Sequence, residues 1–112
     1  MPAIAFTIPI LPGKEELDRQ TMEEFAGPRR DEFEASRKRL GITREAAWHQ
    51  ETPNGTAAVV YLEADDLGTA MHGIASSQEP FDVWFRERME EIHGVDLAEP
   101  APPPKQVFDF QL

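Results

Sequence analysis

One turn near the middle of the chain constrains its fold more than any other feature. Thr52-Pro53-Asn54-Gly55-Thr56 separates two β-prone runs, 42–52 and 56–64. Asn-Gly between such runs marks a hairpin with a two-residue type I′ turn. With Asn54-Gly55 at the turn, Thr52 pairs with Ala57, Gln50 with Val59, Trp48 with Tyr61 and Ala46 with Glu63. Side chains alternate along a strand, so these residues share one face. The other face carries Ala47, His49 and Glu51 against Leu62, Val60 and Ala58.

The flanking segments each supply helix and strand. Residues 3–11 predict a strand, with Ile4, Phe6, Ile8 and Ile10 on one face and small, uncharged Ala3, Ala5 and Thr7 on the other. Such a strand calls for cover on both sides, and Pro9, which cannot donate, belongs near its end. Residues 14–40 are helix-forming. Leu17, Thr21 and Phe25 make one stripe, and Phe33, Ser36, Arg37 and Leu40 a second. Gly27-Pro28 breaks the helix and Gly41 caps its end. After the hairpin, Asp65 and Asp66 are N-cap candidates for a helix burying Leu67, Ala70, Met71 and Ile74. Ser76-Ser77-Gln78 loosens the chain. Glu79-Pro80 then restarts a helix with Phe81, Trp84, Phe85, Met89 and Ile92 on its stripe. His93 sits in its last turn, where an imidazolium complements the helix dipole. Residues 96–105 form a proline-rich connector. Residues 106–112 alternate, with Phe108, Phe110 and Leu112 on one face, and predict a last strand.

Strand, helix, strand, strand, helix, strand is the ferredoxin-like βαββαβ order, an α+β fold on an antiparallel sheet, within a single domain over 1–112. Two helices cover one sheet face. The other carries either the Ile4, Phe6, Ile8 and Ile10 set or the Trp48 and Tyr61 set, and both are too apolar to leave in water. A second copy laid sheet to sheet covers it, so a two-fold homodimer is expected. The last strand has two possible partners, its own sheet or the partner's edge.

The architecture resembles the dimeric α/β-barrel superfamily, in which two ferredoxin-like sheets pair into one barrel. The stretch from Ile74 to Gly94 is the most specific. Its Ala75-Ser76-Ser77 break, followed by an aromatic helix bearing Trp84, is similar to the rhamnose-type sugar mutarotases and to small uncharacterised proteins on that fold. The mutarotases carry an acid/base His in the first helix just before an Asn-Pro break. Here Gly27-Pro28 matches the break, but Ala26 precedes it, so that catalytic group is missing. Other members include cofactor-independent oxygenases, muconolactone-type isomerases and haem enzymes, and the fold alone does not choose among them.

Composition narrows the function classes. Twenty-one acids against eleven Lys and Arg give a net charge of −10, the wrong sign for nucleic acid or an anionic membrane surface. The absence of cysteine excludes disulfides, thiolate catalysis and cysteine-held metals. No apolar run approaches the roughly 20 residues of a membrane span. The first residues lack the basic region of a secretory signal, so cytoplasm is the expected compartment. His49, His72 and His93 stand in separate elements without ligand spacing, and no metal or other cofactor is expected.

Six residues are candidates for a pocket between sheet and helices. His49, mid-hairpin on the aliphatic face, is the candidate acid/base; the alternative is an edge-strand histidine satisfied by water or a helix side chain. Trp48 and Tyr61, with Glu63 beside them, suit a planar or sugar-like ligand, and equally a cross-strand pair at a dimer interface. Trp84 and Arg88, four apart on one helix side, suit an anionic ligand or, alternatively, core packing and surface ion pairing. The basic run Arg29, Arg30, Arg37, Lys38 and Arg39 alternates with acids and predicts a solvated face. The expected function is small-molecule binding, with isomerase- or monooxygenase-like catalysis open; the alternative is a non-catalytic dimeric scaffold.

Overall fold

The structure, a computed structural model, describes residues 2–99 and 101–112. Its elements are β1 (Ala3–Pro9), α1 (Glu15–Ala26), α2 (Arg30–Leu40), β2 (Ile42–Thr52), β3 (Gly55–Ala64), α3 (Leu67–Ser76) and α4 (Pro80–His93). The strands form one antiparallel sheet in the order β1-β3-β2. This is the ferredoxin-like order without its fourth strand.

Local chemistry sets most boundaries. The helical region from 15 to 40 is divided after Ala26, as Gly27-Pro28 implies. Gly41 ends α2 at φ 74° and Gly94 ends α4 at φ 71°, both in the left-handed region that favours glycine. Asp66 caps α3 by accepting from the Thr69 N–H, and Pro80 opens α4 in the first turn, where no donor is missed.

All helices lie on the sheet face that carries Ile4, Phe6, Ile8 and Ile10. Leu40, Ile42, Leu62, Ala64 and Ala70 form one buried cluster, joined by Ile4, Met71 and Ile74. Ile10, Ala58, Met89 and Ile92 form a second, joined by Ile8, Leu17, Met22 and Phe85. Fully burying side chains such as Leu62 and Ile92 contributes about 1.5–3 kcal/mol each. The opposite sheet face has no cover from its own chain. Ala3, Ala5 and Thr7 are exposed there, Val59 and Tyr61 are half-buried, and Trp48 is 56 % exposed.

Two sequence expectations fail in the fold. The hairpin register differs by two residues: Thr52 pairs with Gly55, Gln50 with Ala57, Trp48 with Val59 and Ala46 with Tyr61. A type I′ turn needs positive φ at Asn54, yet only glycines have positive φ among the described residues. Pro53 has φ locked near −65° and enters the turn instead, and Gly55 takes φ 116° after it, as in a type I turn with a glycine bulge. A shift of two keeps every side chain on its expected face. The last strand is also missing. Residues 101–112 have no regular secondary structure and are exposed throughout. A strand has no internal hydrogen bonds and exists only against an edge, and Pro102-Pro103-Pro104 precedes this one.

Candidate functional site

Sheet and helices do not close on each other completely. A cavity of about 370 Å³ lies between them, walled by Phe6 and Val60 from the sheet, Met22 and Phe25 from α1, and Phe85 and Met89 from α4. That volume falls within the roughly 300–1,000 Å³ of small-molecule sites. Four polar side chains interrupt the apolar lining: Asp18, Arg37, Glu45 and His93.

Asp18 reaches the cavity because it shares the buried stripe of α1 with Thr21 and Phe25. Its side chain is 4 % exposed, and Oδ2 lies 2.7 Å from His49 Nε2. Oδ1 is buried without a hydrogen-bond partner. An ionised carboxylate only accepts, so Nε2 donates in this pair. His49 stands on the edge strand β2 with its side chain 31 % exposed. The dyad thus runs from Asp18 in the cavity wall to a partly exposed imidazole that does not itself line the cavity. A carboxylate that orients an imidazole and stabilises its cation makes an acid/base pair.

His93 is buried rather than set at a solvated helix end. Its Nδ1 donates to the Pro9 carbonyl at 2.8 Å, because a carbonyl can only accept. Nε2 has no partner among the described residues. It stands in the last turn of α4, as expected, and is packed there against the end of β1.

Arg37 is buried as well, contrary to the solvated face expected of the basic run. Its Nε donates to Glu45 Oε1 at 2.6 Å and its Nη1 to Ser36 Oγ at 3.0 Å. The guanidinium lies over the rings of Phe33 and Phe85 at 4.4 and 4.5 Å. A second, more open groove of about 500 Å³ runs between α2 and β2, and Phe25, Phe33, Arg37 and Glu45 front both spaces. Ser36 in turn donates to Asp82 Oδ1, while Ser77 and Arg39 donate to Oδ2. Burial alone would raise the Asp82 pKa, but the bonds from Ser36, Ser77 and Arg39, with the Arg39 charge, hold it below the usual carboxylate range.

The six sequence candidates lie on three separate surfaces. Trp48, Tyr61 and Glu63 belong to the uncovered sheet face, away from the cavity. The Tyr61 hydroxyl donates to Glu63 Oε2 at 2.6 Å. That bond holds the phenolic proton and raises the pKa, helped by desolvation and the Glu63 charge and opposed by Arg44. Trp84 and Arg88 belong to the helix layer. Arg88 donates to Thr21 Oγ1 and Glu24, and Arg29 and Arg88 lie over the Trp84 ring at 4.0 and 4.8 Å. Only His49 is joined to the cavity, through Asp18.

Asp18, Glu45, Arg37 and His93 went unrecognised as a site. For Asp18 the signal was present: it is a lone acid in phase with Thr21 and Phe25 on an apolar stripe. Among the described residues, no group of three or more His, Asp or Glu could hold a metal ion. No helix among the described residues is long and apolar enough to cross a membrane. No family model matches the chain, and neither does any curated protein or solved structure.

Proposed function

We propose that the chain binds a small neutral organic molecule, largely apolar with one hydrogen-bond donor, between its sheet and helices. The orphaned Asp18 Oδ1 carries this reading. A buried acceptor without a partner costs about 1–3 kcal/mol, and a ligand hydroxyl or N–H supplies the missing bond. The Asp18–His49 dyad then acts as an acid/base pair: Asp18, which lines the cavity, exchanges a proton with the ligand, and the partly exposed His49 relays it to and from solvent. Isomerase-like proton transfer needs no more than such a pair.

The uncovered sheet face supports self-association as part of the same reading. Trp48, Tyr61, Val59 and the small residues of β1 make a surface that a second sheet would bury. A scaffold without catalysis would serve equally well as a dimer, but it gives no reason for a cavity whose wall holds a buried carboxylate oxygen without a hydrogen-bond partner.

Thermal denaturation with paired compounds tests the reading. Each pair is one aromatic or alicyclic framework with and without a hydroxyl. The hydroxylated member should raise the melting midpoint more, and Asp18→Ala should abolish that difference. His49→Gln keeps a donor for Asp18 but cannot shuttle a proton. It should preserve binding and stop solvent deuterium from entering the bound compound. A midpoint unmoved by every compound at millimolar concentration refutes the proposal.

A further inference from the structure

Residues 107–112 carry an exposed set of apolar side chains. Phe108 is 79 % and Phe110 68 % exposed, and Val107 and Leu112 are more exposed still. Phe108, Phe110 and Leu112 fall on one face at period two. Four exposed apolar side chains within seven residues, three of them alternating, give the segment the pattern of a strand without an edge to pair with.

The sheet offers two free edges, and they differ. β2 carries Arg44, Glu45 and Glu51 and a bulge between Ile42 and Arg44, the usual devices against further pairing. β1 carries no charge, and its ladder with β3 runs unbroken from Ala3 to Pro9. It has seven residues, the same length as 106–112.

The route of the chain decides between the two possible owners of that strand. Leu11 N–H donates to the Ile92 carbonyl, so α4 ends beside the C-terminal end of β1. Twelve residues, 94–105, separate α4 from residue 106, enough to turn back along β1 within the same chain, yet residues 101–112 stay exposed and unpaired there. Pro102-Pro103-Pro104 instead favours extended chain at about 3.1 Å per residue, and the segment lies free of its own sheet. We infer that residues 106–112 of each copy pair with β1 of a second copy, a reciprocal exchange of strands that completes both sheets. The inference rests on the self-association proposed above.

The test uses the full chain. Phe108→Ser with Phe110→Ser leaves the fold of one copy untouched, because both side chains are exposed there. Light scattering across a dilution series should show the dimer weakened by roughly 100-fold or more, from the loss of two buried rings. Since the chain has no cysteine, Ala5→Cys and Val107→Cys each place one thiol. Co-expressed and treated with a short bis-maleimide, the two variants should form a covalent mixed dimer that neither forms alone to that extent. A full-strength dimer with no mixed cross-link overturns the exchange and leaves sheet-to-sheet pairing standing. A monomer at all micromolar concentrations overturns both.

Discussion

Replacing Asp82 with Ala should cost about 3–5 kcal/mol. The side chain is 3 % exposed and serves three donors on two segments: Ser36 and Arg39 on α2, and Ser77 beyond α3. Ser36 is fully buried. Losing its charged acceptor removes about 1.5–3 kcal/mol and strands its O–H. Ser77 is half-buried and regains water in part, for about 1 kcal/mol more. Arg39 is 38 % exposed, and water replaces its partner at little cost. The sum is a third or more of the stability of a typical domain, and lowers the midpoint by roughly 10–20 °C. Asp18→Ala is the internal control. It loses the His49 bond but also removes the orphaned Oδ1. These terms oppose each other at similar size, so the net change should stay within about 1 kcal/mol. Urea denaturation of both variants measures the contrast. A loss below about 1 kcal/mol for Asp82→Ala, or equal losses for the two, refutes the distinction between a satisfied and an unsatisfied buried carboxylate.

Because the folded Asp82 and Asp66 titrate below their ordinary values, their contribution is complete above about pH 3.9 and disappears as pH falls through the lowered values; Asp82→Asn should flatten that acid limb of the stability profile. Tyr61 titrates above its ordinary value, so its contribution holds below about pH 10 and fades as pH rises through the raised value; ultraviolet titration should give a lower phenolate midpoint in Glu63→Gln. Gly94→Ala places a side chain at φ 71° and 3.2 Å from Leu11 Cδ2, and should lose about 1–2 kcal/mol in thermal or urea melts. Trp48→Asp should leave the midpoint of a single copy unchanged while shifting sedimentation toward monomer.

The elements were legible where neighbours in sequence decide the matter. Period two in β1, the Gly27-Pro28 break, the cap on Asp66 and the glycine ends of α2 and α4 all act within a few residues. The hairpin turn was misassigned because Pro53 and Asn54 compete for it, and the fixed φ of proline outweighs the preference of Asn-Gly. The sheet faces survived that error, since a shift of two conserves parity. The site was mostly illegible. Asp18 meets His49 across 31 positions and Ser36 meets Asp82 across 46, and no local pattern records such meetings. Arg37 stood on an apolar stripe and within a charged run at once, and burial was decided by Glu45, Phe33 and Phe85, which only the fold assembles.

Arg37 and Glu45 front both the cavity and the groove beside α2. They form a partition one ion pair thick, and ligand length depends on whether it stands. With the pair in place, a ligand in the cavity would meet the two side chains on this side. Once the guanidinium swings aside, the cavity becomes a tunnel with its second mouth between α2 and β2. Glu45 lies at the accessible end of the pair, 22 % exposed, so Glu45→Ala would remove one wall of the partition and leave Arg37 held by Ser36, Phe33 and Phe85. Selectivity between short and long ligands would then rest on this one ion pair.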